Sequence, residues 1–386
     1  MTSPFEDPAP WPEPVDAGDL IEEITSVILR FVVLDPPQAL AGALWTVHTH
    51  LIDVAHFSPV LLINAPERAC GKTQCLTVLS QLVRRPLTAA NASGPAIYRA
   101  IELWSPTMLL DEGDTFFKDR PELHGIVNAG YERGGFVLRA EASGDAFEPK
   151  RFNVFCPKSI AGIALERHLP ESTMSRAIVI NMRRKRRDEA VERLRTAPDG
   201  MFAKIRSRIA RFAQDNAQAI EASRVELPDE LSDRAQDCWE PLLAIAACGG
   251  EVWVDYATEA AVQLSADSAE QIGGSSELLA DVREIFAVVD RFGEPPDRIR
   301  TRDLLAELLK DPEKPWVTWN RGNPLSARQL AKMLGSYSIH PRTVRFGTET
   351  PKGYLREQFK DAFQRYLPPV AEKAASSALA DDDDRY

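Results

Sequence analysis

LLINAPERACGKTQCLTVLSQL, residues 61–82, is the stretch whose reading decides the fold. An apolar run ends in a short loop, the loop closes on Gly71-Lys72-Thr73, and an apolar helix pattern resumes at once. A strand that turns into a helix in this way leaves backbone N–H groups free at the helix start, where an anion can sit. Pro66, Glu67, Arg68, Ala69, Cys70, Gly71, Lys72, Thr73 and Gln74 therefore form a candidate cradle for the phosphates of ATP, with Lys72 toward the β and γ phosphates and Thr73 toward magnesium. Pro66 stands where the usual pattern has its first glycine, so the match is partial. Taken alone, a bare GKT is also compatible with chance.

The next signal downstream strengthens the phosphate reading. TMLLDEGDTF (107–116) is a buried-strand pattern ending in Asp111 and Glu112, which places two carboxylates at the carboxyl end of a strand. An NTPase needs one acid for its metal and one to polarise the attacking water; Asp111 suits the first role and Glu112 the second. FCPKSIAGIA (155–164) and RAIVINM (176–182) are two further strands, and helical stretches separate all of them. That alternation predicts an α/β fold: a P-loop NTPase-like parallel sheet with helices on both faces.

Three other segments carry candidate chemistry. Arg176 stands immediately before a strand, where an arginine can reach the γ-phosphate held by a neighbouring subunit. Between the acids and that arginine, a helix bearing Asn128 leads to two strand-like pieces around Ala142-Ser143-Gly144-Asp145, a hairpin signal. Arg139, Lys150 and Arg151 on this hairpin are candidate contacts to a DNA backbone, or else a solvated charged surface. The run Arg183–Arg187 reads first as the solvated exit of a strand and only secondarily as a DNA patch. Arg234, at the start of the helix DRAQDCWEPLLAIAA, is a candidate for folding back onto the γ-phosphate, or for pairing with Asp233 or Asp237.

The composition is that of a soluble globular protein, 44% hydrophobic and 27% charged over 386 residues, with no apolar run of membrane-spanning length. The five scattered cysteines show no CxxC spacing, which points to a reducing cytoplasm and away from a zinc site or a disulfide framework. Residues 1–18 are acidic and proline-rich without a signal-peptide pattern and read as a disordered lead; 369–386 read as a disordered acidic tail. Between them the expected pieces are N-terminal helices (19–58), an ATPase core (59–187), a helical lid (188–271) and a separate C-terminal unit (275–368).

That last unit has the pattern of three helices and a β-wing, as in a winged helix. Ser326 reads as an N-cap for a helix with Leu330, Met333 and Leu334 on one face and Arg328, Gln329 and Lys332 outside it. Arg342, Arg345 and Lys352 follow in the wing. The net charge of the chain is −11, yet residues 324–360 hold seven Lys or Arg against two acids. The contrast favours DNA as the partner of this unit over a protein surface.

ALWTVHTH, APERACGKT, PTMLLDEGDTF, GIVNAGYERGG, FCPKSIAGI, LPESTMSRAIVINMRRK and DRAQDCWEPLLAIA together give the chain a close resemblance to the domain-of-unknown-function 3631 family of bacteria and phages. Members of the family often form the ATPase part of primase-helicases on mobile elements, and this chain is expected to be that part without a primase domain. The resemblance implies an additional-strand ATPase similar to AAA+ and superfamily 3 helicase motors, using ATP and Mg2+ and assembling into a ring such as a hexamer. It also implies that Pro66-Glu67 is the family's own variant of the cradle and that the hairpin projects into a central pore; the chain departs from better-known motors where Gly162 stands in place of a polar sensor, which Asn128 or Ser159 replaces or no residue does. The function expected is a cytoplasmic, DNA-stimulated helicase or translocase in phage or mobile-element replication. The alternative is an NTP-switched loader or defence-system regulator that acts on a protein partner.

Overall fold

The computed structural model describes residues 3–367 apart from 119, 144, 145, 187, 273, 289–294, 313, 320–322, 336 and 348. The expected acidic tail and the tip of the hairpin, Gly144-Asp145, lie outside the described residues. The chain forms two compact units, Met1–Ile272 and Gly273–Tyr386.

In the first unit, helix α1 (Ala17–Phe31) starts where the Asp16 carboxylate accepts the Asp19 N–H, and it buries Leu20, Ile21, Ile24, Val27, Ile28 and Phe31 along one stripe. Helix α2 (Pro36–His50) starts on Pro36-Pro37, whose fixed φ suits a first turn, and is buried from Gln38 to His50. It is therefore an interior helix. There follow β1 (Val60–Ala65), α3 (Lys72–Ser80), β2 (Pro86–Ala89), α4 (Gly94–Trp104), β3 (Thr107–Leu110), the single turn α5 (Gly113–Phe116) and α6 (Pro121–Ala129). Next come β4 (Phe136–Ser143), β5 (Ala146–Asn153), β6 (Lys158–Ile163), the short α7 (Glu171–Met174) and β7 (Ala177–Asn181). Three long helices close the unit: α8 (Met201–Ala222), α9 (Asp233–Ala247) and α10 (Glu251–Ile272).

Five of these strands make one parallel sheet in the order β2-β3-β6-β1-β7. All six residues of β1 and all four of β3 are buried, as expected of parallel strands covered on both faces. Alternate side chains enter different cores: Leu61 and Ile63 meet α1, α2 and α3, whereas Val60 and Leu62 meet α4 and α6. The strand β6 lies between β1 and β3, with Leu62 beside Ile160 and Ile160 beside Leu110. The two loops of chemical interest thus emerge at the same edge, separated by one strand.

Two expectations about this unit change. The N-terminal helices, the sheet and α8–α10 share one apolar cluster, so the three pieces read separately from the sequence form a single body. The lead is also ordered from residue 3: Asp7 bonds both Arg84 and Arg85, Phe5 packs edge-on against Trp104, and Trp11 donates its N–H to Ser207 O. Its prolines already restrict the unfolded chain, so few anchors suffice to hold it. Burial raises the Asp7 carboxyl, but the two guanidiniums outweigh that and hold it at about 2.

The second unit consists of α11 (Gly274–Ala287), β8 (Arg298–Arg300), α12 (Thr301–Leu308), α13 (Ala327–Gly335), β9 (Arg342–Thr343), β10 (Lys352–Leu355) and α14 (Lys360–Tyr366). Its strands form an antiparallel sheet in the order β8-β10-β9. Leu278, Val282, Leu304, Leu330, Leu334, Tyr354 and Phe359 form its core. Asp281 is buried there and accepts from Trp316 Nε1 (2.6 Å) and Lys314 Nζ (2.7 Å), which satisfies both carboxylate oxygens.

Candidate functional site

At the carboxyl edge of the sheet the chain leaves β1, exposes Pro66 to Ala69, buries Cys70 and enters α3 at Lys72. Ala69 (φ 64°) and Gly71 (φ 86°) are both left-handed, with a residue of ordinary hand between them. Gly71 adopts this region without strain and Ala69 does so at a cost of about 1 kcal/mol. Lys72 Nζ bonds back to Glu67 O at 3.3 Å. Thr73 Oγ1 donates to Asp111 Oδ2 at 3.0 Å, and the other Asp111 oxygen accepts the Glu112 N–H at 2.8 Å. Glu112 is itself left-handed (φ 55°) and exposed, so its carboxylate stands clear of the strand that supplies it. The hydroxyl and carboxylate oxygens at Thr73 and Asp111 are hard donors of the kind magnesium takes. A site of so few protein oxygens suits magnesium, which keeps waters and binds substrate phosphates.

Other polar groups at this edge were not singled out from the sequence. Asn64, near the end of β1, donates to Glu166 (3.1 Å) and accepts the Leu165 N–H (2.9 Å). Asp114 accepts the Ile163 N–H at 3.0 Å. These bonds fix the chain just beyond β6 against β1 and α5. The available signal was that polar residues closed apolar strands, as Asn64 closes VLLIN. Ser159 is not at this edge: it lies beside Leu61 and donates to Leu61 O within the sheet.

Arg176, Arg234 and Asn128 are placed at the opposite, amino edge. Arg176 O accepts the Val60 N–H at the start of β1, whereas Lys72 lies beyond its end. The six extended residues of β1 span five steps of about 3.3 Å, which separates the two edges by about 17 Å. The Arg176 guanidinium donates to Ser172 O (2.5 Å) and lies 5.7 Å from the Tyr131 ring centre. Burial lowers its pKa and Arg234 lowers it further. Asn128 bonds Ser172 (3.1 Å) and Thr173 (2.9 Å), which ties α6 to the turn before Arg176. All three residues line a cavity of about 660 Å³ together with Tyr131, Glu132 and Asp237.

In the second unit Arg328, Lys332, Arg342, Arg345 and Lys352 are exposed, while Leu330 and Leu334 point into the core. Gln329 is occupied: its Oε1 accepts from the Ser326 N–H (3.0 Å) and hydroxyl (2.7 Å), and its own N–H donates to Ser326 Oγ (3.3 Å). This reciprocal cap occupies its side-chain oxygen and its backbone N–H. Arg345 Nε donates to Gly347 O at 3.2 Å within its own turn.

Residues 181–366 match the family model described as "Protein of unknown function (DUF3631)". A Saccharopolyspora erythraea protein described as "Uncharacterized 28.9 kDa protein in xis 5'region" is 36% identical over 192 residues, covering 48% of this chain and 69% of that protein. The chain belongs to the DUF3631 family. The DUF3631 match takes in α8–α10 and the second unit and begins at the last residue of β7, so Arg234 and the cations of α13, β9 and β10 fall within it. The cradle and its acids precede it.

The hairpin of this DUF3631 chain differs from the sequence expectation. Strand pairing puts Arg139 beside Lys150 and Leu138 beside Arg151, so the three cations do not share a face. Arg139 lies over the Tyr98 ring, and Lys150 bonds Glu141, which also holds Arg99 of α4. Arg151 is on the other face, over the Phe136 ring at 3.9 Å. Leu138 and Phe147 are exposed on that same face, at 57% and 76%. The surface is apolar with one cation. The basic run is likewise engaged: Arg183 pairs with Asp35 and Glu189, Arg184 with Glu67, and Arg186 with Asp188 and Glu189.

At the root of the hairpin Lys158 is buried and donates to the carbonyls of Gly130 (2.9 Å), Val154 (3.1 Å) and Cys156 (2.8 Å). A Cβ on Gly130 would fall 1.9 Å from Val154 O, so only glycine allows this approach.

Proposed function

We propose that this protein is a P-loop ATPase of the AAA+-like, additional-strand type that works as a ring and is stimulated by DNA, as a helicase or translocase. The observation that carries the reading is the 3.0 Å bond from Thr73 to Asp111, which sits beside the helix start at Lys72. The strand β6 between the cradle strand and the acid strand supports the additional-strand assignment. In this reading Lys72 and the N–H groups of the loop hold the phosphates, and Thr73 with Asp111 would hold magnesium, which supplies charge neutralisation. Glu112 takes the proton of the attacking water. Arg176 cannot serve the nucleotide of its own chain from the far edge of the sheet and would serve a neighbour's. The order of elements in the second unit, with sheet order β8-β10-β9, supports a winged helix that presents Arg328 and Lys332 to a groove and Arg342 and Lys352 to phosphates.

One observation favours the second reading, an NTP-switched protein acting on a protein partner: Leu138 and Phe147 give the hairpin an apolar outer face, while Arg139 and Lys150 are held elsewhere. Single strands also stack on exposed aromatic rings beside a cation, so the motor reading stays first. The test is ATP turnover with and without single- and double-stranded DNA, for wild type, Lys72→Ala and Arg176→Ala. DNA stimulation lost in both variants supports the motor, and turnover that ignores DNA supports the switch.

A further inference from the structure

We propose that Arg234 and Arg176 together form a two-guanidinium receptor for the terminal phosphates of the nucleotide bound by the Gly71-Lys72-Thr73 loop of a second copy of this chain. The inference rests on the nucleotide reading above and assigns Arg234 away from its own chain's loop.

The argument begins with position. Cys238, one turn along α9 from Arg234, approaches Ser175 O at 3.9 Å and the Tyr131 hydroxyl at 3.5 Å. The start of α9 therefore lies at the amino edge of the sheet beside Arg176, and both arginines line the same cavity. The cradle of the same chain lies about 17 Å away along β1. Two guanidiniums close enough for one to depress the other's pKa repel each other, and an anion between them removes that cost. Phosphate oxygens match the fork of two N–H donors that each guanidinium presents. The supports are already in place: Ser172 O and the Tyr131 ring hold Arg176, and Asn128 holds the turn bearing Ser172. Asp237 and Glu132 also line the cavity wall, and burial pushes the Asp237 carboxyl up. The two edges of one chain are complementary halves, which is the requirement for a head-to-tail contact that closes into a ring.

The experiment is complementation by co-expression of differently tagged full-length chains. Alone, Arg234→Ala, Arg176→Ala and Lys72→Ala should each turn over ATP at least about 100-fold more slowly than wild type. Arg234→Ala should still bind a fluorescent ATP analogue and Lys72→Ala should not. Mixed with Lys72→Ala, Arg234→Ala should regain about a quarter of wild-type turnover, because that share of random interfaces joins an intact loop to intact arginines. Mixed with Arg176→Ala it should regain nothing, since no chain then supplies both guanidiniums. Arg234→Lys, which keeps the charge and loses the fork, should be intermediate and guards against misfolding of the alanine variant. Failure of Arg234→Ala to complement Lys72→Ala, while Arg176→Ala does complement it, overturns the proposal and leaves the nucleotide reading standing. Wild-type turnover by Arg234→Ala also overturns it. A wild-type chain that neither binds nor hydrolyses ATP removes the nucleotide reading and the receptor with it.

Discussion

The two edges of the parallel sheet are built on opposite plans. At the carboxyl edge Thr73 bonds Asp111, Asn64 bonds Glu166, and Glu112 stands exposed. At the amino edge two arginines line an open cavity, and a carbonyl and a ring hold Arg176. The carboxyl edge sets Asp111 and Glu112 beside Lys72 and Thr73, whereas the amino edge sets two guanidiniums beside Glu132 and Asp237. In the proposed reading the difference teaches that each edge supplies half of a reaction site that two chains complete.

The sharpest way to break this comparison is to disable the carboxyl edge. Glu112→Gln should keep nucleotide binding and lower ATP turnover by about 10²–10³-fold, as expected when a proton acceptor becomes an amide of the same shape. Equal losses of binding and turnover would deny Glu112 a chemical role.

Acid should separate the core from both edges. His48 and His50 are buried in α2, and burial depresses each imidazole to about 4. Their folded pKa lies below the unfolded value near 6.5, so the stability they contribute is complete above pH 6.5 and is lost as pH falls through about 4. The loss is about 3 kcal/mol for each histidine across that window. Urea midpoints between pH 7 and pH 4.5 should fall, and the fall should shrink in His48→Gln. Asp7 acts lower: its stabilisation persists above about pH 4 and disappears only as pH drops through about 2.

Lys158→Met tests the root of the hairpin. It leaves three buried carbonyls without their donor and should cost about 2–4 kcal/mol, read as a lower denaturant midpoint with unchanged slope. The smallest effect expected is Phe147→Asp on the exposed face, within about 0.5 kcal/mol of wild type in stability. It should nonetheless abolish DNA stimulation or partner capture. Unchanged stimulation would remove the hairpin from the working surface.

Much of the sheet was legible because VLLI (60–63) and MLL (108–110) are unbroken apolar runs, as strands buried on two faces must be. The approach of Thr73 to Asp111 followed from strands that end at a common edge. Other features depend on relations that no local pattern encodes. The pairing of Arg139 with Lys150 and of Leu138 with Arg151 is a matter of register, and one residue of slip would reverse every face. Arg234 shares a cavity with Arg176 because α9 packs against β7, which its helical periodicity does not reveal. Residues 3–16 have the composition of a disordered segment, and their order comes from distant partners, Arg84, Arg85 and Ser207.

Lys158 has a consequence for chemistry done on the protein from outside. An ammonium that is buried and whose three hydrogens are all shared with carbonyls is out of reach of an acylating reagent while the structure stays closed. The three carbonyls follow α6, follow β5 and precede β6, so the amine is released only when those segments part. Its slow labelling, followed by mass spectrometry against the exposed lysines, is therefore a clock for how often the hairpin lifts from the sheet.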